Sequence, residues 1–190
     1  VPFHAPVLRD RVVAHLVPAA PGLLVDATVG LAGHAGALLQ AAAGFVLLGL
    51  DRDPSALRHA GSRLQPFGDR VSLVNCTFSE MPRVLVETGS PPPVAILADL
   101  GCSSLQLDSP ERGFSFQHDG PLDMRMSTTG RTAAELVNEA SEEELMRILW
   151  DYGEERRARA ITRAILKRRA DRPLATTAEL TSVVLEVLGP

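Results

Sequence analysis

Residues 23–36 read Leu23-Leu-Val-Asp26-Ala-Thr-Val-Gly30-Leu-Ala32-Gly33-His34-Ala-Gly36. A short apolar run closes on a carboxylate, and a glycine-rich turn then leads into small residues that continue as a helix to Ala43. Glycines at a strand-to-helix turn let backbone approach a ligand and leave amide donors free at a helix N-terminus. Three more apolar runs follow, Val46–Leu50, Val71–Val74 and Val94–Ala98. Helix-like stretches separate them. One starts at Asp53-Pro54, with Asp as the cap and Pro at the first helical position; another covers Ser79–Val86. Strands alternating with helices predict right-handed βαβ units and a parallel sheet covered on both faces.

Two ligand classes compete for the first turn. A dinucleotide site wants G-x-G-x-x-G around a pyrophosphate, and the spacing Gly30, Ala32, Gly33, Gly36 fits that poorly. A site for S-adenosylmethionine has an acidic residue ahead of the glycine loop, as in Asp26-x-x-x-Gly30-x-Ala32, and holds no phosphate. The spacing prefers the second. Asp51 closes the second apolar run, the position from which a carboxylate accepts ribose hydroxyls. Asp53 is the better helix cap, which leaves Asp51 for the ribose. Phe78, just past the third run, can flank an adenine or pack in the core.

After the fourth run comes a long segment, Asp99–Met126, dense in charge and glycine but not low in complexity. Such loops at the carboxyl end of a strand carry the chemistry of α/β proteins. Asp99 stands where a carboxylate would orient an exocyclic amine beside an activated methyl group. Gly101 permits close backbone approach, and Ser103, Ser104 and Gln106 are suited to reading a base edge. Asp108, Glu111, Arg112, Asp119, Asp123 and Arg125 are expected to pair in part with one another and fix the loop. Cys102 has no histidine near it in sequence and is expected to be a small buried thiol.

From Thr132 the pattern is helical. Thr132–Glu135, Ser141–Glu144 and Thr176–Glu179 have the spacing of capping boxes. Beyond Gly153 a helix is expected over Glu154–Ala170, ending ahead of Pro173. It would place Arg156, Arg159, Arg163 and Lys167 on one stripe able to track phosphates, or simply to face water. Charge reversal at Arg159 and Arg163 is expected to weaken RNA binding and flatten its salt dependence.

Composition bounds these readings. The 190 residues carry a formal charge of −4, with 45% hydrophobic and 22% charged residues. Global charge therefore does not mark a nucleic-acid binder. Of 19 basic residues only Lys167 is lysine, a bias that a GC-rich genome also produces. Cys76 and Cys102 make no disulfide framework and suggest reducing surroundings. No apolar run reaches a membrane span, and no metal-ligand pattern is present.

At these residues the sequence resembles the RsmH family, also called MraW, of S-adenosylmethionine-dependent methyltransferases. The resemblance runs through His4-Ala-Pro-Val7, Asp26-Ala-Thr-Val-Gly30, Gly49-Leu-Asp-Arg-Asp-Pro54 and Phe78-Ser-Glu80. It continues in Glu111–Met126, with Arg-Gly-Phe-Ser-Phe and Gly-Pro-Leu-Asp-Met-Arg-Met, then Thr132–Asn138 and Tyr152-Gly-Glu-Glu155. The resemblance implies methylation of a cytidine N4 in small-subunit rRNA at the decoding centre. It implies a Rossmann-like class I α/β sheet, here four parallel strands in residues 1–102, and a helical substrate-recognition insert in 103–190. Cofactor contacts would fall on Ala32, Gly33, His34, Asp51, Phe78, Asp99 and Gln106. The partner would be small-subunit rRNA or the immature small subunit, in bacterial cytoplasm or, by the Asp-Leu-Gly-Cys variant, the mitochondrial matrix. A homodimer is compatible with the sequence. Ala32 and Leu105 stand where the family has Gly and Pro. The family's later strands, helices and Ser-Phe-His-Ser motif are not in the sequence, so it reads as a shortened form with an open sheet edge. The alternative is a non-catalytic module that binds rRNA or an assembling subunit.

Overall fold

Four parallel strands carry the first half of the chain in a computed structural model that describes residues 6–115 and 117–189. They are β1 (Gly22–Asp26), β2 (Phe45–Asp51), β3 (Val71–Asn75) and β4 (Ala95–Leu97), in the order β3-β2-β1-β4. Each falls on an expected apolar run with ends moved by a residue or two. The order turns back at β1: the chain steps outward to β3, then crosses over to add β4 on the far side. Ligands of open α/β sheets bind at that switch point, beyond the carboxyl ends of the strands.

Burial follows from the two-residue period of a strand. Leu24, Leu47 and Ala95 point into a layer formed with α1 (Arg9–Leu16), α2 (Gly33–Ala41) and α3 (Pro54–Leu64). Leu23, Val25, Leu48 and Leu50 point the other way, against Val84 of α4 (Met81–Glu87). Asp53 caps α3 as expected, accepting from the Ser55 amide at 2.9 Å. The helix expected over Ser79–Val86 instead opens with a 3-10 turn, Phe78–Glu80, because Thr77 and Glu80 close a capping box one step earlier. Arg70 fastens the α2–β2 turn by donating to the carbonyls of Leu39, Ala42, Ala43 and Phe45 at 3.1–3.4 Å. Among the described residues β3 and β4 are the edge strands. At β4, Ile96, the register partner of Val25, is exposed together with Val94 just ahead of the strand.

The chain divides after Ser103. The second unit holds α5 (Ser104–Asp108), α6 (Ala133–Glu139), α7 (Glu142–Arg147), α8 (Ala158–Asp171) and α9 (Thr177–Leu188). Its core includes Leu122, Val137, Leu145, Ile161, Ile165 and Val183. The boxes at Thr132 and Thr176 are complete. At Ser141 only half forms: the hydroxyl accepts from the Glu144 amide, but the Glu144 carboxylate pairs with Arg131 at 3.2 Å.

The long helix starts later than expected. Tyr152-Gly-Glu-Glu155 forms a turn in which Glu154 takes a left-handed φ of 51° and the Glu155 amide donates to the Leu149 carbonyl. Regular α-helix begins only at Ala158, so Arg156 precedes it.

The segment expected as one loop contains α5 and a 3-10 turn, Pro110–Arg112. Part of the expected charge pairing forms. Arg125 clasps Asp123 at 2.6 Å and Arg112 donates to the Arg125 carbonyl at 2.9 Å. Asp119 instead accepts from the Ala178 amide and the Thr177 hydroxyl, holding the start of α9. Asp108 and Glu111 make no ion pair with any described residue. Backbones run so close here that a Cβ on Gly120 would lie 2.0 Å from the Pro110 oxygen. Gly120→Ala is therefore expected to destabilise the second unit by about 3 kcal/mol, as overpacking against rigid backbone does. Urea unfolding followed by circular dichroism checks this; an unshifted midpoint would show that the two segments part without cost.

Candidate active site

Three carboxylates gather where β1, β2 and β4 end. Asp26 is the last residue of β1 and only 2% exposed. Its Oδ1 accepts from the Thr28 amide at 3.2 Å, a local turn that short acidic side chains favour. Burial raises its carboxyl to about 7 from 3.8; the Thr28 N–H opposes this, and the charges of Asp51 and Asp99 add to it. Thr28 also fixes the third member, because its Oγ1 accepts from the Asp99 amide at 2.7 Å. The Asp99 side chain itself is 48% exposed and open to a ligand.

Asp51 ends β2 and already has internal partners, contrary to the expectation of a wholly free carboxylate. Oδ2 accepts from the Gly30 amide at 2.8 Å and Oδ1 from the Asp53 amide at 2.9 Å. Each oxygen keeps one lone pair for a hydroxyl donor. The bond to Gly30 folds the glycine loop onto β2, with Gly30 at φ 51°.

Ala32 is fully buried at φ 58°, in the left-handed region that a Cβ makes costly by roughly 1–2 kcal/mol. As the residue ahead of α2 it offers no side-chain cap. The first amides of α2, from Gly33 on, therefore remain donors for an anionic group. Gly33 is glycine for a different reason: a Cβ would lie 2.6 Å from Cγ of Pro6, which covers it. His34 is 7% exposed. Its Nδ1 has no hydrogen-bond partner among the described residues, and its Nε2 faces Asp99 Oδ2 at 3.6 Å.

Phe78 stands past the end of β3, 51% exposed, which removes the core-packing reading for it. Cys102 is exposed rather than buried, because nothing packs over the Gly101 turn, where a Cβ would meet open space. Ser103 closes the first unit half-buried. Ser104 begins α5, and its side chain lies outside the described residues, as do His4, Ala5 and Phe116. Gln106 is buried in the second unit, where Arg156, Arg159, Arg163 and Lys167 are exposed. So the structure brings together Ala32, Gly33, His34, Asp51 and Asp99 in one unit. Thr28 was not singled out by sequence reading, and Asp26 was read only as the acid ahead of the glycine loop, not as a contact residue. The two-residue spacing in Asp26-Ala-Thr28 signals the local turn between them, but not the bond from Thr28 to Asp99.

The arrangement suits a ligand that is cationic at one end and carries a carboxylate. Asp51 and the exposed Asp99 present negative charge with the buried Asp26 carboxyl behind them, and the uncapped amides of α2 offer the positive end of a helix. A pyrophosphate would meet the acids head-on. Among the described residues no group of His, Cys, Asp or Glu is arranged to hold a metal ion, and no helix is long and apolar enough to cross a membrane.

Comparison with known proteins agrees with this architecture. A family model described as the MraW methylase family matches residues 2–190. The ribosomal RNA small subunit methyltransferase H of Acidothermus cellulolyticus is 51% identical over 189 residues, covering 97% of this chain and 57% of that protein. Proteins of the same name from Geotalea daltonii and Thermobifida fusca are each 50% identical, covering 95% and 96% of the chain and 59% and 57% of those proteins. The chain thus spans somewhat more than half the length of these relatives. All three are bacterial, and none favours the mitochondrial branch.

Proposed function

Because the chain belongs to the MraW methylase family, we propose that it binds S-adenosylmethionine at the carboxyl edge of the sheet and serves methyl transfer to small-subunit rRNA. The observation that carries this is the cluster of Asp51 and Asp99 around the buried Asp26, beside the uncapped start of α2. When bound, the cofactor supplies an electrophilic methyl on a sulfonium. The chain's own groups match its parts. Amides from Gly33 on, next to the turn held by Ala32, receive the carboxylate, and the buried Nδ1 of His34 is a spare polar atom beside them. Asp26 offsets positive charge, Asp51 takes the ribose hydroxyls, and Phe78 covers the adenine. Gln106 lies in the second unit, and its role as a cofactor contact stays an expectation from the resemblance.

The acceptor we propose is the N4 amine of a cytidine near the decoding centre, in bacterial cytoplasm. A ring amine is a poor nucleophile because its lone pair is delocalised. Asp99 accepts a hydrogen bond from it, which localises the lone pair and aims it at the methyl. With the cofactor bound, its sulfonium would supply the methyl group, and Asp99 would take the proton that the amine gives up. Ser103 and Ser104 are assigned to the base edge, and Arg156, Arg159, Arg163 and Lys167 to phosphates. The cytidine must leave its stack to reach Asp99.

Calorimetric titration with S-adenosylmethionine tests the reading. The chain is expected to bind, and Asp51→Ala to weaken binding by about 10–100-fold, the worth of charged hydrogen bonds to two hydroxyls. Thermal unfolding of the variant separates loss of the ribose contact from loss of the Gly30 tether. A second reading, a module that binds rRNA without transferring methyl, is favoured by the buried methyl of Ala32. Absence of any cofactor binding by the unaltered chain would select it.

A further inference from the structure

The chain has one tryptophan and one tyrosine, and the fold buries neither. Trp150 is 60% and Tyr152 78% exposed, two residues apart on a π-helical turn, Ile148–Tyr152. Large aromatics normally supply core, so folding gains little from leaving both in water. The turn is nonetheless firmly mounted. Leu149 packs on the core of the second unit, the Gly153 amide donates to the Ile148 carbonyl at 3.1 Å, and the Glu155 amide donates to Leu149 at 2.9 Å. Turns of this kind recur at functional sites.

The cations that follow fall into two sets. Arg157 donates to the carbonyls of Val187 and Leu188, Arg168 pairs with Glu186, and Arg169 donates to Val137 and Ala140. These hold the helices to one another. Arg156, Arg159, Arg163 and Lys167 are exposed and make no hydrogen bond or ion pair with any described residue. The last three recur every fourth residue along α8, about 6 Å apart on its axis. Folding leaves a cationic row and two aromatic faces next to each other in sequence on the same unit. Asp151 and Glu154 sit in the aromatic turn and repel phosphate, so the turn suits bases and α8 suits the backbone.

We propose that Trp150 and Tyr152, two residues apart and so on different sides of the turn, each offer a stacking face to an unpaired base of a single-stranded RNA whose phosphates follow Arg156, Arg159, Arg163 and Lys167; the pair constitutes the platform. The charges favour this occupant over an apolar protein face, which would leave four cations unmatched. Stacking is tolerant of base identity, and single-stranded RNA is held in this combined way. The platform rests on the proposal that rRNA is the acceptor, but it needs no cofactor to bind.

Trp150 is its own reporter. The full chain, without S-adenosylmethionine, is titrated with a single-stranded oligonucleotide of small-subunit rRNA sequence and with the matching duplex. The single strand is expected to quench Trp150 emission saturably and the duplex to leave it unchanged. In anisotropy assays with labelled RNA, Trp150→Ala and Tyr152→Ala are each expected to raise Kd about 5–100-fold, and Trp150→Phe to restore most of it. Charge reversal at Arg159 and Arg163 should reduce the slope of log K against log salt by about 1.4 without changing the quench at saturation. RNA binding with unchanged emission and unaltered Kd in both alanine variants would overturn the platform. So would equal quenching by duplex, or no RNA binding by a chain that still binds S-adenosylmethionine. RNA binding intact with no cofactor binding would instead overturn the methyl-transfer reading and leave the platform standing.

Discussion

Asp99→Ala is expected to slow methyl transfer to small-subunit rRNA by about 10²–10³-fold, the usual cost of removing one aligned polar group from a reacting centre. The fold should survive. The Asp99 side chain is 48% exposed, and what ties this residue to β1 is its amide, which donates to the Thr28 hydroxyl and is kept in the variant. Affinity for S-adenosylmethionine should fall far less than turnover, because Asp51 and the α2 amides remain. Asp99→Asn keeps an acceptor oxygen but not the charge, and should recover part of the rate. Single-turnover transfer of a labelled methyl group, with cofactor affinity measured in parallel, checks the split. Full transfer by the alanine variant would remove Asp99 from the chemistry.

Asp26→Asn should change the pH dependence of stability by several kcal/mol. The Asp26 carboxyl titrates near 7 in the fold against 3.8 when free. Between those values the native state holds a proton that the unfolded state has lost, so stability falls as pH rises through this window and levels off above it. Three pH units correspond to roughly 4 kcal/mol at about 1.4 kcal/mol each. Asparagine keeps the acceptor for the Thr28 amide and cannot ionise. The variant should lose this falling limb and be the more stable protein at about pH 8. A cationic ligand acts oppositely, since it favours the carboxylate. Binding of S-adenosylmethionine should therefore tighten toward neutral pH and release a proton below it, and the variant should show neither. Denaturant unfolding across the window, with and without cofactor, tests both halves. Parallel pH profiles for the two proteins would mean that Asp26 does not titrate there.

The strands were legible in the sequence because each is a short, mostly apolar run with Asp, Asn, Gly or Pro at one end or both, and a parallel sheet buries both faces of such runs. The caps at Asp53, Thr132 and Thr176 were legible because a cap is a local bond with a fixed spacing. Competition between partners was not. Glu144 has the spacing of a box residue, yet Arg131 takes its carboxylate. The late start of α8 was hidden for the same reason, since the Glu155 amide finds the Leu149 carbonyl instead of continuing a helix. Within the site, Asp51 and Asp99 could be named from their places at strand ends. Asp26 owes its significance to burial, and Thr28 to a bond spanning 71 residues, neither of which a single sequence displays. The left-handed backbone at Ala32 was foreseeable only as a conflict between its methyl and a position where resemblance expects glycine.

The strand order also sets a timetable for synthesis. β1 can pair with β2 soon after both leave the ribosome, but its other edge waits for β4, whose Ala95 pairs with Leu24. At about 5–20 residues per second, that edge stays open for several seconds while α2, α3 and α4 emerge. Until β4 arrives, the amide of Asp99 has not met Thr28, and the acidic cluster lacks one member. The nascent chain therefore acquires these strands from one flank, and its candidate site only when the fourth closes on the first.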